Sequence, residues 1–240
     1  MKSKKLLFIF IPILVIFLAC AVYVNDYYHA TTPMESVTMN MSTYTCHTLE
    51  DKTLVFEPKD PKAGLIFYPG GKVEYTAYAP LMQQLADQGI LCMLVKMPMN
   101  LAVLDPDAAN GLQALYPNIK DWYIGGHSLG GSMAASYVAK NADTFDGLVL
   151  LAAYSTIDLN KTDLNVLSIY GSNDGVLNFE KYKEYKDNLP SSTLEYTIEG
   201  GCHAYFGSYG PQDGDGTPTL TNEEQIDLTA DFIAENILQN

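Results

Sequence analysis

The stretch Trp122-Tyr123-Ile124-Gly125-Gly126-His127-Ser128-Leu129-Gly130-Gly131-Ser132-Met133-Ala134-Ala135 decides how this chain is read. An apolar, strand-like run enters Gly126-x-Ser128-x-Gly130, and a helix of small residues follows. A serine in a sharp turn between strand and helix needs flanking positions without side chains, because a Cβ there would collide with the neighbouring strand or helix. The turn lifts the hydroxyl into a cleft, and the helix N-terminus behind it aims main-chain N–H groups at developing negative charge. This is the strand–turn–helix setting of a nucleophilic serine. Glycine and serine are common, and such a turn can be purely structural, so the reading depends on partners elsewhere.

A serine hydroxyl is a weak nucleophile near neutral pH and needs a base within hydrogen-bonding reach. The chain has four histidines. His29 precedes the globular part, His47 lies before the sheet pattern begins, and His127 sits inside the turn, directed away from its neighbour's hydroxyl. His203 remains, in the Gly-rich loop Glu199-Gly200-Gly201-Cys202-His203-Ala204-Tyr205-Phe206-Gly207 after a strand. The third member should be a carboxylate that orients the imidazole and falls between serine and histidine in chain order. Asp174 fits, in Gly171-Ser172-Asn173-Asp174-Gly175 after the apolar run Val166–Tyr170, although a polar loop there is also an ordinary turn. Asp158 and Asp163 precede that strand and fit less well.

An oxyanion hole combines the N–H of the residue after the nucleophile, Leu129, with one from the loop after the first parallel strand. Tyr68-Pro69-Gly70-Gly71-Lys72 is that loop, and the second donor is Gly71 or Lys72.

Outward from these motifs, apolar runs alternate with helix-like segments from Ala63 onward. Strands are expected at Gly64–Tyr68, Ile90–Val95, Trp122–Gly125, Gly147–Leu151, Val166–Tyr170 and Thr193–Ile198. Helices are expected at Ala79–Gln88, Asp107–Leu115, Leu129–Lys140, near Asn178–Asn188, and at Asn222–Leu238, where Ile226, Leu228, Phe232, Ile233 and Ile237 share roughly one face. That order predicts an α/β fold, a mostly parallel sheet with helices on both faces. Before it, Ser36–Met41 and Thr53–Phe56 read as an edge hairpin.

At the N-terminus, Lys2, Lys4 and Lys5 precede Leu6–Val24, nineteen uncharged residues, enough at helical rise to cover a bilayer core. Residues 1–24 are therefore expected to be a transmembrane anchor or a signal peptide, with an extracytoplasmic or secreted catalytic domain under the positive-inside rule. Lipid attachment at Cys20 ranks behind both. Residues 25–35 read as a polar tether and residues 36–240 as a single domain, which suits one core.

The formal charge is −14, and beyond the three N-terminal lysines eleven lysines face 28 acids, giving −17. No arginine occurs. The chain thus lacks the residue best suited to clamp phosphate, and nucleic acid is excluded as a partner. Cys46, Cys92 and Cys202 could form at most one disulfide, and no Cys/His spacing suits zinc. Asp213-Gly214-Asp215-Gly216 has some calcium-loop character, but Pro218 stands where that loop needs glycine, so a turn is expected. Tyrosines such as Tyr75, Tyr78 and Tyr205 could line a cleft or simply be partly buried.

Taken together, YPGGKVEYTAYAPL, GGHSLGG, YGSNDGV and EGGCHAYFGSYGPQDGDG resemble the α/β-hydrolase family, in its compact bacterial form related to dienelactone hydrolases and carboxylesterases. The resemblance runs from about Ala63 to the C-terminus and implies nucleophile Ser128, acid Asp174, base His203 and an oxyanion loop at Gly70-Gly71-Lys72. Dienelactone hydrolases carry cysteine where this chain has Ser128, and an asparagine often precedes the family's histidine where Cys202 stands here. The short connection between Leu151 and Asn165 leaves no room for a cap domain. The expectation is a cofactor-free serine hydrolase acting on small or envelope-associated acyl substrates, with no metal. Acyl transfer to an envelope acceptor, or a non-catalytic binding protein on the same fold, are the rival readings.

Overall fold

The computed structural model describes residues 14–15, 20, 22–33, 36 and 41–239. Eight strands form one sheet: β1 (Tyr44–Thr48), β2 (Leu54–Pro58), β3 (Ala63–Tyr68), β4 (Ile90–Leu94), β5 (Trp122–His127), β6 (Gly147–Leu151), β7 (Asn165–Gly171) and β8 (Leu194–Ile198). Their spatial order is β1-β2-β4-β3-β5-β6-β7-β8. β2 runs antiparallel to both β1 and β4, and every pairing from β4 to β8 is parallel.

The central strands are apolar on both faces because both faces are covered. Leu65 and Phe67 of β3, Tyr123 of β5 and Val149 and Leu151 of β6 enter one core layer, with helices α1 (Ala79–Asp87) and α4 (Asn222–Leu238) packed on it. The alternate residues Ile66 and Tyr68, Trp122 and Ile124, and Leu148 and Leu150 enter the other layer, with helix α2 (Leu129–Val138). Each fully buried Leu, Ile or Phe contributes about 1.5–3 kcal/mol. Trp122, the sole tryptophan, lies buried where the rings of its indole fill the space over Gly64, and a Cβ at Gly64 would stand 2.4 Å from them.

Several expectations are corrected. The strand pairing with β2 is Tyr44–Thr48, while Ser36–Met41 lies mostly outside the described residues. Asp107–Leu115 is not a helix: turns occupy it up to a short 3-10 turn at Gln113–Leu115, because Gly111 takes φ 79° and breaks the helical path. The Asn178–Asn188 segment divides into α3 (Phe179–Glu184) and a 3-10 turn. In α4 the buried face runs through Ile226, Ala230, Ile233 and Ile237, and Leu228 points outward, 40% exposed.

No helix forms in residues 152–164, so nothing caps the sheet there. Most of the Leu6–Val24 segment lies outside the described residues, and among those described no helix is long and apolar enough to cross a membrane. The expected tether is docked: Tyr28 forms a parallel bridge with Val73, and Thr31 N donates to Ser208 O.

Candidate active site

The loops after β3, β5, β7 and β8 open on the same, C-terminal edge of the sheet, the edge where open α/β sheets bind ligands. Ser128 sits between β5 and α2 with φ 52° and ψ −120°, outside the regions ordinary residues occupy. Its N–H donates to Leu151 O at 2.9 Å, and its carbonyl accepts from Ser132 N at 3.1 Å. The turn is tight enough that a Cβ on Gly130 would stand 2.3 Å from the Tyr68 and Pro69 carbonyl oxygens. Glycine at that position is therefore a packing requirement.

Asp174 and His203 meet as a buried pair, Oδ2 to Nδ1 at 2.9 Å, with side chains 0% and 2% exposed. The other oxygen of Asp174 accepts from Val176 N at 2.8 Å and Leu177 N at 2.7 Å, which fixes the carboxylate plane. A neutral imidazole that donates Nδ1–H to this carboxylate carries its lone pair on Nε2. That Nε2 is buried and makes no hydrogen bond within the protein. His203 and Ser128 line one cleft of about 270 Å³ with Leu129, Ser132, Tyr154 and Leu177. Tyr154 also borders a larger cleft of about 460 Å³ on the side of α3.

The two expected oxyanion donors from the β3 loop are not equivalent. Lys72 N is committed to Asn100 O at 2.8 Å and Lys72 O to Tyr28 N at 2.8 Å, so Lys72 is not the donor. Gly71 lies against Leu129, the residue after Ser128: a Cβ on it would be 2.9 Å from Leu129 Cδ2.

Four supporting side chains, His127, Tyr78, Asp215 and Gln225, were given no such role from the sequence. His127 is buried, its ring centroid 4.5 Å from that of His203. Gly70 N donates to Tyr78 Oη at 3.0 Å, and the tyrosine oxygen lies 2.8 Å from His127 Nδ1. Burial first, and the neighbouring His203 second, push the His127 pKa well below the usual value, which favours a neutral imidazole whose Nδ1 can accept the Tyr78 proton. Burial also raises the Tyr78 phenol.

Asp215, expected to be only part of a turn, gathers four main-chain donors. Oδ1 accepts from Gly175 N at 3.1 Å, His203 N at 3.1 Å and Gly216 N at 2.8 Å, and Oδ2 accepts from Ala204 N at 2.8 Å. Burial alone would raise this carboxyl, but the four N–H groups outweigh it and hold the pKa below the usual carboxylate range. Asp215 thus ties the loop of Asp174 to the loop of His203. Gln225 of α4 completes the frame, accepting from Cys202 N at 3.0 Å and donating to Cys202 O at 2.8 Å.

The Cys202 thiol is pushed up to about 12, chiefly by burial, so it is no thiolate nucleophile. All four cysteines are free. Tyr75 and Tyr78 are buried in the core layer, Tyr205 packs against it, and none of them lines the cleft. Among the described residues no group of His, Cys, Asp and Glu is arranged to hold a metal ion.

Residues 64–227 match the model of a family described as the alpha/beta hydrolase family. No curated protein sequence matches the chain. Solved structures share its fold. A predicted CIB-like hydrolase from Thermoplasma acidophilum has 18% identity and a TM-score of 0.55, covering 80% of this chain and 98% of that one. Est1E from Butyrivibrio proteoclasticus has 15% identity and a TM-score of 0.55, covering 82% and 99%. A dienelactone hydrolase from Anabaena variabilis has 12% identity and a TM-score of 0.61, covering 82% and 98%.

Proposed function

Because this chain belongs to the α/β-hydrolase family, we propose that it is a serine hydrolase that cleaves carboxylic esters or related acyl compounds through an acyl-enzyme. The observation that carries this reading is the buried Asp174–His203 hydrogen bond of 2.9 Å, with His203 Nε2 unpaired on the cleft that holds Ser128. In this mechanism Ser128 Oγ attacks the acyl carbon as His203 Nε2 takes its proton. Asp174 remains ionised and stabilises the imidazolium through Nδ1–H. The tetrahedral oxyanion is received by the N–H groups of Leu129, at the start of α2, and Gly71, beside it.

The imidazolium then protonates the leaving alcohol, and the acyl-enzyme forms as the carbon–oxygen bond breaks. Water, deprotonated by His203, reverses the sequence and releases the acid. No cofactor enters these steps. The modest cleft, with no helix over it in residues 152–164, favours short acyl groups on small or envelope-associated molecules.

The test is a fluorophosphonate probe. Wild type should label stoichiometrically, Ser128→Ala should not, and both should release or fail to release p-nitrophenol from p-nitrophenyl acetate accordingly. A folded wild-type protein that takes no label would rule the serine mechanism out.

A further inference from the structure

We propose that the catalytic mouth lies directly on the lipid surface of the membrane and takes acyl groups from esters carried in that surface. The inference rests on the serine-hydrolase reading above and on the reading of Leu6–Val24 as a membrane-embedded segment.

The chain leaves that apolar segment and goes straight to the loop after β3. The Tyr23 ring lies 4.5 Å beneath Lys72 Nζ, and Asp26 Oδ2 is 2.9 Å from the same nitrogen. Tyr28 then adds a strand-like bridge to that loop: its N–H donates to Lys72 O at 2.8 Å, and its carbonyl accepts from Glu74 N at 2.8 Å. Ala30 N reaches Glu74 Oε2 at 3.1 Å, and Asp213 N donates to Tyr28 Oη at 3.1 Å. Three residues lie between Val24 and Tyr28, and the four Cα steps reach at most about 14 Å. The loop carrying Gly71 therefore cannot stand far from the bilayer boundary.

The opposite side of the same loop is apolar. Lys72 N holds the Asn100 carbonyl, and around that contact Met99, Val103 and Leu104 are 58%, 52% and 52% exposed. Buried Ala102 fixes the segment beneath them. Three large apolar side chains within six residues, beside a docked membrane-proximal strap, form a rim suited to the interfacial region of a bilayer. Charge cannot supply the attraction, since the part beyond the N-terminal lysines carries −17 and an anionic leaflet repels it. The placement is set by the strap and the apolar rim, and it should be insensitive to salt.

The experiment uses the full chain reconstituted in phosphatidylcholine vesicles. In a Cys20→Ala, Cys46→Ala background, Leu104→Cys and, on the exposed face of α4, Leu228→Cys each carry an environment-sensitive fluorophore. Brominated lipids should quench the label at 104 at least about threefold more than that at 228, equally at low and high salt. No quenching at 104, equal quenching at both sites, or quenching that salt abolishes would overturn the placement, whether or not the protein is a hydrolase.

A second arm measures chemistry. The double substitution Val103→Glu, Leu104→Glu should slow acetate release from a dialkyl-acetylglycerol in the vesicles by about tenfold. Fluorophosphonate labelling and hydrolysis of aqueous p-nitrophenyl acetate should stay unchanged. Parallel loss on both substrates, or no loss on either, would overturn the lipid-surface assignment. A wild type that labels with no probe while 104 is quenched would instead sink the hydrolase reading alone.

Discussion

Ser128 holds a backbone conformation that costs a residue with a Cβ about 1–3 kcal/mol, and the turn persists because Leu151 O, Ser132 N and the close-packed Gly130 over-determine it. Ser128→Gly should therefore abolish probe labelling yet raise stability by about 1 kcal/mol, seen as a melting temperature higher by about 2–4 °C. Asp174→Asn makes a separate test. The amide oxygen can keep the Val176 and Leu177 N–H bonds, but the amide nitrogen then faces Nδ1 and favours the wrong imidazole tautomer. Turnover of p-nitrophenyl acetate should fall by roughly 10³–10⁴ with the melting temperature little changed. Ser128 and His203 stand out in the sequence because glycines flank the one and only three other histidines compete with the other. Lys72 was not distinguishable from Gly71, since only the folded chain reveals that Asn100 O and Tyr28 N take up its main chain.

Loops acquire their precision from contacts that sequence order hides. Asp215 lies 41 residues beyond Asp174 and reads as a turn, yet its carboxylate gathers Gly175, His203, Ala204 and Gly216. Asp215→Ala should release both loops and lower kcat/KM about a hundredfold, the scale of effect expected when a reacting group is misplaced by about 1 Å. Asp215→Asn can retain the three bonds to Oδ1 and should lose only about tenfold, which steady-state kinetics on p-nitrophenyl acetate would reveal. The strands were legible for a different reason: runs such as Gly147–Leu151 are apolar throughout, as buried parallel strands must be. So was α4, from the helical spacing of Ile226, Ile233 and Ile237; its capping box of Thr221 and Glu224 emerged only in the fold. Asp107–Leu115 misled because its apolar spacing suggested a helix while Gly111 stopped one from forming. The tether misled because a polar segment without strand pattern gives no sign of where it docks.

For the whole molecule, burial of neutral His127 links the site to stability. Its folded pKa lies well below the ordinary value of about 6.5, so below that pH the unfolded chain binds a proton that the folded chain excludes. Stability should fall as pH drops from about 6.5 to 5, by up to about 1.4 kcal/mol per pH unit from this group. Thermal melts over that window should show the slope, and His127→Gln should flatten it. The sole tryptophan supplies a way to watch such changes. Trp122 sits over Gly64 between β3 and β5, in the core layer away from α1 and α4, and its 5% exposure keeps the indole out of water. Emission from one native chromophore thus reports whether the middle of the sheet is closed and says nothing of the loops at its edge. Acid or heat that silences turnover while the emission maximum stays blue would identify a molecule whose scaffold is intact and whose loops alone have melted.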